Sequence, residues 1–195
     1  MSFGICDLPA IPIRKEGSHT SEMVSQLLFN ELYEKLDEKP GWFLIRTEID
    51  HYEGWIQGIQ HHPVSDQEYL ALKGKKWHIL NTPVFSWQGK HLSLGTLLYE
   101  PNDFALEYPT VFSPAAMIDF AQKLLGAPYL WGGRTLFGID CSGLVQLSAR
   151  AAGKLLPRDA SEQVKEGELV YFLPEIQPGD LAFSAMRRAT SSTWA

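Results

Sequence analysis

The stretch 127–153, APYLWGGRTLFGIDCSGLVQLSARAAG, constrains this chain more than any other. It reads as a loop feeding a helix, with Cys141 at the join. Asp140 stands where a side-chain oxygen can accept a hydrogen bond from a free N–H of the first turn. Gly153 lies past the last apolar position and suits a left-handed helix end. Leu144, Val145, Leu147, Ser148, Ala151 and Ala152 form a small-residue face for close packing. A thiol on a first helical turn sits near the positive end of the helix dipole. That position favours thiolate, the nucleophile of cysteine catalysis. Lone cysteines are more often buried structural thiols. Here Asp140 and Ser142 flank Cys141 with polar groups, where a core thiol would have apolar neighbours. Gly132, Gly133 and Gly138 read as a slim loop that a substrate backbone can approach. Tyr129 and Trp131 read as aromatic walls of a pocket.

The hydrophobic period changes along the chain. Residues 3–64 alternate in short runs, 23–28, 31–36, 42–45 and 52–56, and read as all-β. Glu38-Lys39-Pro40-Gly41 reads as a hairpin turn between two of them. In 65–102, SDQEYLALKG reads as a short helix, and WHILNTPVFSWQGKHLSLGTLLYE as three strands with a Gln88-Gly89 turn. Trp77 and Trp87 are expected in the core. At Ser113-Pro114 a helix begins, with a cap and a proline suited to its first position, and Gly126 ends it. Its apolar face is Met117, Phe120, Ala121, Leu124 and Leu125. After the cysteine helix, LPRDAS reads as a loop into a short helix, with Arg158 and Asp159 as a buried pair bracing it. Residues 168–173 and the segment GDLAF read as strands.

Charge and leader signals exclude several classes. The net charge is −6, from 17 basic and 23 acidic residues, which leaves no basic footprint for nucleic acid. No apolar run approaches the ~20 residues of a membrane-spanning helix. MSFGICDLPAIPIRKEG lacks the basic start and apolar run of a signal peptide, so a reducing cytoplasm is expected. A signal peptide hidden by a misassigned start codon would instead place the chain in the cell envelope. Cys6 and Cys141, the two cysteines, make no disulfide framework.

Four blocks carry a family resemblance: PYLWGG, FGIDCSGLVQ, LPRDASEQ and QPGDLAF, in that order. Together they resemble the NlpC-type cell-wall cysteine peptidases. LLFNELYEKLDEKPGWFLIRTEIDHYEGWI resembles a bacterial SH3-like domain. The resemblance implies an α+β chain with this organisation: an all-β SH3-like barrel over 1–64, a linker or second degenerate SH3-like unit over 65–111, and an incomplete papain-like peptidase domain over 112–195. It implies hydrolysis of the γ-D-glutamyl–diamino acid bond in peptidoglycan stem peptides, with no metal and no cofactor. Cys141 would be the nucleophile. Tyr129, Asp140, Ser142 and Ser161 would line the pocket, with Asp140 receiving a free amine. SH3-like domains of this family precede the peptidase and shape or select the substrate. Two other functions fit the same residues. One is a non-catalytic module that binds cell-wall peptide beside a remnant domain. The other is an acyltransferase or amidase on the same scaffold.

The family's catalytic histidine follows its cysteine, and here all six histidines, His19, His51, His61, His62, His78 and His91, precede Cys141. Lacking that imidazole, the chain is expected to be inactive. After GDLAF the sequence is SAMRRATSSTWA. Back-translated one base out of register, it permits FGNEEGNIIHVG, whose His-Val-Gly resembles the family's histidine strand. The expectation is therefore a frameshifted, truncated peptidase domain that is soft beside an SH3-like part that folds alone.

Overall fold

The computed structural model describes residues 2–184. Strands β1 (Ser2–Ile5), β2 (Ala10–Arg14), β3 (Met23–Leu28), β4 (Leu32–Lys39), β5 (Trp42–Thr47), β6 (Glu53–Gln57) and β7 (Pro63–Val64) form one antiparallel sheet. Their order is β3-β2-β6-β5-β4-β1-β7. β2 shows the alternation that makes such a sheet, with Ile11 and Ile13 inside. They meet Cys6, Leu27, Tyr33, Ile45 and Ile56 in one cluster. Each large aliphatic side chain buried this way contributes about 1.5–3 kcal/mol. The hairpin between β4 and β5 turns where expected: Pro40 presets one φ, and Gly41 takes φ 79°.

The sheet does not close into the expected barrel. Its edge strands β3 and β7 do not pair. β7 has only two residues and starts on a proline, which has no N–H to give a ladder. Beside β3 the segment around Arg134 packs instead. The Arg134 N–H donates to Gln26 Oε1 at 2.7 Å, and Arg134 Nη1 donates to the Gln26 carbonyl at 2.6 Å.

Next comes α1 (Asp66–Lys73), capped by Ser65, whose hydroxyl accepts the Glu68 N–H at 3.2 Å. Strands β8 (His78–Leu80), β9 (Val84–Trp87), β10 (Lys90–Ser93), β11 (Leu97–Leu98) and β12 (Ala105–Glu107) follow. They form a β9-β10 hairpin and a separate sheet β11-β8-β12. The hairpin turns on Gln88 (φ 46°) and Gly89 (φ 77°), both left-handed as a tight two-residue turn requires. Trp77 is half-buried against Tyr108, whereas Trp87 is exposed and not in the core.

Helix α2 (Pro114–Gln122) is capped by Ser113 and buries Met117 and Phe120. Leu124 is buried too, but Leu125 is 80% exposed. The helix ends at Gln122, so its period no longer governs position 125. Strands β13 (Arg134–Thr135) and β14 (Gly138–Ile139) form a small hairpin leading into α3 (Cys141–Ala151), and α4 (Ala160–Gln163) follows. Among the described residues no strand follows β14. The 168–173 run and GDLAF, expected as strands, have no partner strand to pair with. Leu169, Tyr171, Phe172 and Phe183 stand exposed. The shifted-frame histidine position, 193, lies outside the described residues.

The parts are not independent. One core cluster joins Leu28 of β3, Ile79 of β8, Phe120 of α2 and Leu147 of α3. The SH3-like sheet therefore shares part of its packing with the cysteine helix, beside its own cluster around Ile11 and Tyr33.

Candidate active site

Cys141 is the first residue of α3 and is exposed. What holds it there is the carboxylate of Asp140. Oδ1 accepts the Gly143 N–H at 2.7 Å and the Ser142 hydroxyl at 3.3 Å. Oδ2 accepts the Gly132 N–H at 2.8 Å and Arg158 Nη2 at 2.6 Å. The cap therefore fastens the loop before the nucleophile to the turn that carries it.

Arg158 is the second fastener. Its guanidinium is 2% exposed, and its fork reaches three groups. Beyond Asp140, Nη1 donates to Ser142 Oγ at 2.7 Å and Nε donates to Ser25 Oγ of β3 at 3.2 Å. Gln163 Nε2 closes the arrangement, donating to the carbonyls of Ser142 and Pro157, each at 2.9 Å. Arg158 thus does not pair with its neighbour Asp159. Asp159 is exposed and accepts the Tyr52 hydroxyl at 3.3 Å.

The loop glycines make room for protein, where room for substrate was expected. A Cβ on Gly132, which sits at φ 77°, would lie 2.5 Å from the Met23 carbonyl oxygen of β3. A Cβ on Gly133 would lie 2.3 Å from the Gly138 carbonyl oxygen. Backbone cannot yield at such distances, so the loop is slim because it is clamped between β3 and its own return strand.

The residues singled out from the sequence divide into two groups. Cys141, Tyr129 and Ser161 face solvent, Ser161 from α4 and Tyr129 from an isolated bridge to Ile139. Asp140 and Ser142 face inward, 7% and 8% exposed. Trp131 is half-exposed, and its Nε1 donates to Glu22 Oε1 at 2.7 Å. In the first turn of α3 the N–H groups of Cys141 and Ser142 have no intrahelical acceptor, as helix geometry requires. Free N–H groups of a first helical turn can receive a developing oxyanion.

The histidines lie elsewhere. His61 Nδ1 meets the Tyr33 hydroxyl at 2.9 Å, His19 meets Gln57 at 3.1 Å, and His91 meets Ser86 at 3.2 Å. Among the described residues no hydrogen bond joins an imidazole to Cys141.

A set of residues that the sequence alone did not single out supports the site from below. The Glu31 carboxylate is 3% exposed and accepts Arg134 Nη1 at 2.9 Å, Arg134 Nη2 at 3.1 Å and Arg150 Nη1 at 2.6 Å. The Leu28 N–H adds a fourth bond at 2.9 Å. Arg150 Nη2 also donates to the Gly95 carbonyl. The available signal was an arginine between Leu147 and Ala151, on the face meant for packing.

The two thiols should differ sharply in reactivity. Cys6 is fully buried, and burial pushes its thiol well above the ordinary range. Iodoacetamide should modify one thiol per native chain, Cys141, and two after denaturation. Peptide mapping checks this, and modification of Cys6 in the native chain would contradict the packing described.

Comparison with known proteins bears on this arrangement. Residues 126–193 match the NlpC/P60 family, and residues 13–58 match the bacterial dipeptidyl-peptidase SH3 domain. The chain carries an NlpC/P60 domain. By family this is a cysteine-peptidase domain. A γ-D-glutamyl-L-lysine dipeptidyl-peptidase of Bacillus subtilis is 49% identical over 69 residues, covering 35% of this chain and 23% of the relative. A Bacillus cereus protein of the same name is 38% identical over 93 residues, covering 47% of this chain and 26% of the relative. The matched region thus spans about a quarter of these relatives. A solved NlpC/P60 family protein from Bacillus cereus superposes with a TM-score of 0.75 at 17% identity, covering 91% of this chain and 81% of that one. That likeness is one of fold.

Proposed function

We propose that the NlpC/P60 domain of this chain is built to hydrolyse the γ-D-glutamyl–diamino acid amide of peptidoglycan stem peptides. The observation that carries this reading is the exposed Cys141 on the first turn of α3, its geometry locked by Asp140 and Arg158. The names of the Bacillus relatives supply the substrate class. The thiolate Sγ attacks the amide carbon, and the N–H groups of the first turn receive the developing oxyanion. The C–N bond then breaks, leaving a thioester on Cys141 and a free amine on the diamino acid. Water hydrolyses the thioester and regenerates the thiol. Tyr129 and Ser161, both exposed, serve as substrate contacts. Asp140 and Ser142 act on the peptide through the turn they shape, since the internal bonds of Asp140 already engage both its oxygens.

Breaking the C–N bond requires a proton for the leaving amine, which an imidazole normally gives. The sequence has none after Cys141. We infer that the chain as it stands binds the peptide without turning it over. This gives the second reading, a peptide-binding module, its supporting observation. Incubating the purified chain with an L-Ala-γ-D-Glu-diaminopimelate peptide separates the two. Saturable binding without release of diaminopimelate is the expected result. Release that disappears in Cys141→Ala would show that one of the six upstream histidines reaches the site.

A further inference from the structure

At the far end of α3 from Cys141 lies a cavity that the peptidase reading does not use. It holds about 180 Å3 and opens between the SH3-like sheet, α1 and the segment after α3. Leu32, Ile49, Trp77, Leu97 and Leu155 form its apolar walls, with Tyr99 beside them. The eleven residues of α3, about 16 Å long at 1.5 Å per residue, start at Cys141 and end shortly before Leu155.

Two charges also line it, Glu48 and Lys73, paired at 2.5 Å. Their side chains are 20% and 52% exposed, so the pair sits at the mouth. The Tyr69 hydroxyl donates to the other carboxylate oxygen of Glu48 and fixes its direction. Burial pushes the Glu48 carboxyl up, but the bonds from Lys73 and Tyr69 outweigh it and hold the group below its ordinary range. Glu48 is therefore anionic at neutral pH.

Size and charge together select a ligand class. An apolar cavity of about 150 Å3 accepts a benzene ring, so this one takes a leucine-sized or aromatic group. A ligand with one charge would break the Glu48–Lys73 pair and replace only half of it. A ligand with an ammonium and a carboxylate replaces both halves. We propose that this cavity is a binding site for a free apolar amino acid. Its ammonium meets Glu48, its carboxylate meets Lys73, and its side chain packs on Trp77 and Leu97.

Calorimetric titration of the full chain tests this with L-leucine and L-phenylalanine. Glycine, isocaproate and phenethylamine serve as probes that lack the side chain, the ammonium or the carboxylate. The expected result is one site filled by the two apolar amino acids, with each lesser probe weaker by about tenfold or more, since a hydrogen bond to a charged group contributes about 1.5–3 kcal/mol. Leu155→Trp, at the half-exposed rim, should abolish binding by filling the cavity. Lys73→Gln should weaken leucine and tighten phenethylamine, whose ammonium no longer has to break the Glu48–Lys73 pair. Circular dichroism and single-site alkylation at Cys141 confirm that each variant is folded. No heat with either amino acid at tens of millimolar, equal affinity for all the apolar probes, or undiminished binding in folded Leu155→Trp would overturn the proposal.

Discussion

One base inserted between the codons of Phe183 and Ser184, with the gene extended into the restored frame, is expected to switch on hydrolysis of a γ-D-glutamyl peptide. The reason is chemical. Cys141 is exposed, its turn is clamped, and that first turn has free N–H groups. Under the proposed mechanism the chain lacks a proton donor for the leaving amine. In the shifted frame position 193 falls on a codon that permits histidine, and the restored segment is expected to form a strand that pairs with GDLAF, unpaired among the described residues. Neighbouring strands lie about 4.8 Å apart, so such a strand brings an imidazole close to the thiol. A positioned general acid contributes roughly 10²–10⁴-fold, so the rise over the unrepaired chain should be of that order. Release of diaminopimelate measured by mass spectrometry gives the readout. Cys141→Ala in the repaired chain should remove the gain. A repaired and folded chain no faster than the original would sink the frame-shift reading.

The second large effect is on stability, through Glu31. Glu31→Gln removes the anion that pairs directly with two buried guanidiniums, Arg134 and Arg150. Arginine does not deprotonate at any accessible pH, so both charges would remain, buried and without their direct anionic partner. Breaking a buried pair in this way costs about 3–5 kcal/mol. Folded domains hold only about 5–15 kcal/mol in all, so the variant should be largely unfolded or melt far lower. Lys165→Ala, which removes a surface pair with Glu162, should change stability by only about 0–1 kcal/mol. The same carboxylate sets a pH dependence. Burial pushes Glu31 up, but the charges of Arg134 and Arg150 prevail, so its folded value lies below the ordinary one. A depressed carboxyl stabilises the fold fully above the unfolded value, about 4.3 for glutamate. That stability is lost as pH falls through the folded value. Denaturant midpoints should hold steady from neutrality to about pH 5 and fall steeply below about pH 4. An Arg134→Met/Glu31→Leu/Arg150→Met triple variant as stable as the parent at neutral pH and flat with acid would assign the slope to these three groups. A Glu31→Gln chain as stable as the parent would show that the three charges do not share one buried site.

Much of this was legible because its grammar is short-range. The Asp140 cap, the Ser65 and Ser113 caps, and the left-handed glycines at 41, 89, 126 and 153 are each written within a few residues. The strands near 23–28 and 42–45 announce themselves by alternation. Long-range features were not readable. Glu31 and Arg150 stand 119 residues apart, and each looks like an ordinary surface charge in its own window. Gly132 was read as an opening for substrate because the Met23 carbonyl that fills the space lies in a different part of the sequence. The apolar run at 169–173 shows the converse: local preference for a strand produces none when no neighbour supplies the ladder. The barrel stayed open for a related reason, since the loop that packs along β3 comes more than a hundred residues later.

The buried Glu31 cluster also orders events in time. A ribosome delivers about 5–20 residues per second. Glu31 emerges 103 residues before Arg134 and 119 before Arg150. For several seconds, then, the nascent sheet carries a carboxylate with no guanidinium to meet it, harmless while solvated. Ser25 waits longer still, 133 residues, for Arg158. The last of these partners to arrive is the one that holds the cysteine turn against the sheet, so the nucleophile is set in place only after everything beneath it has been made.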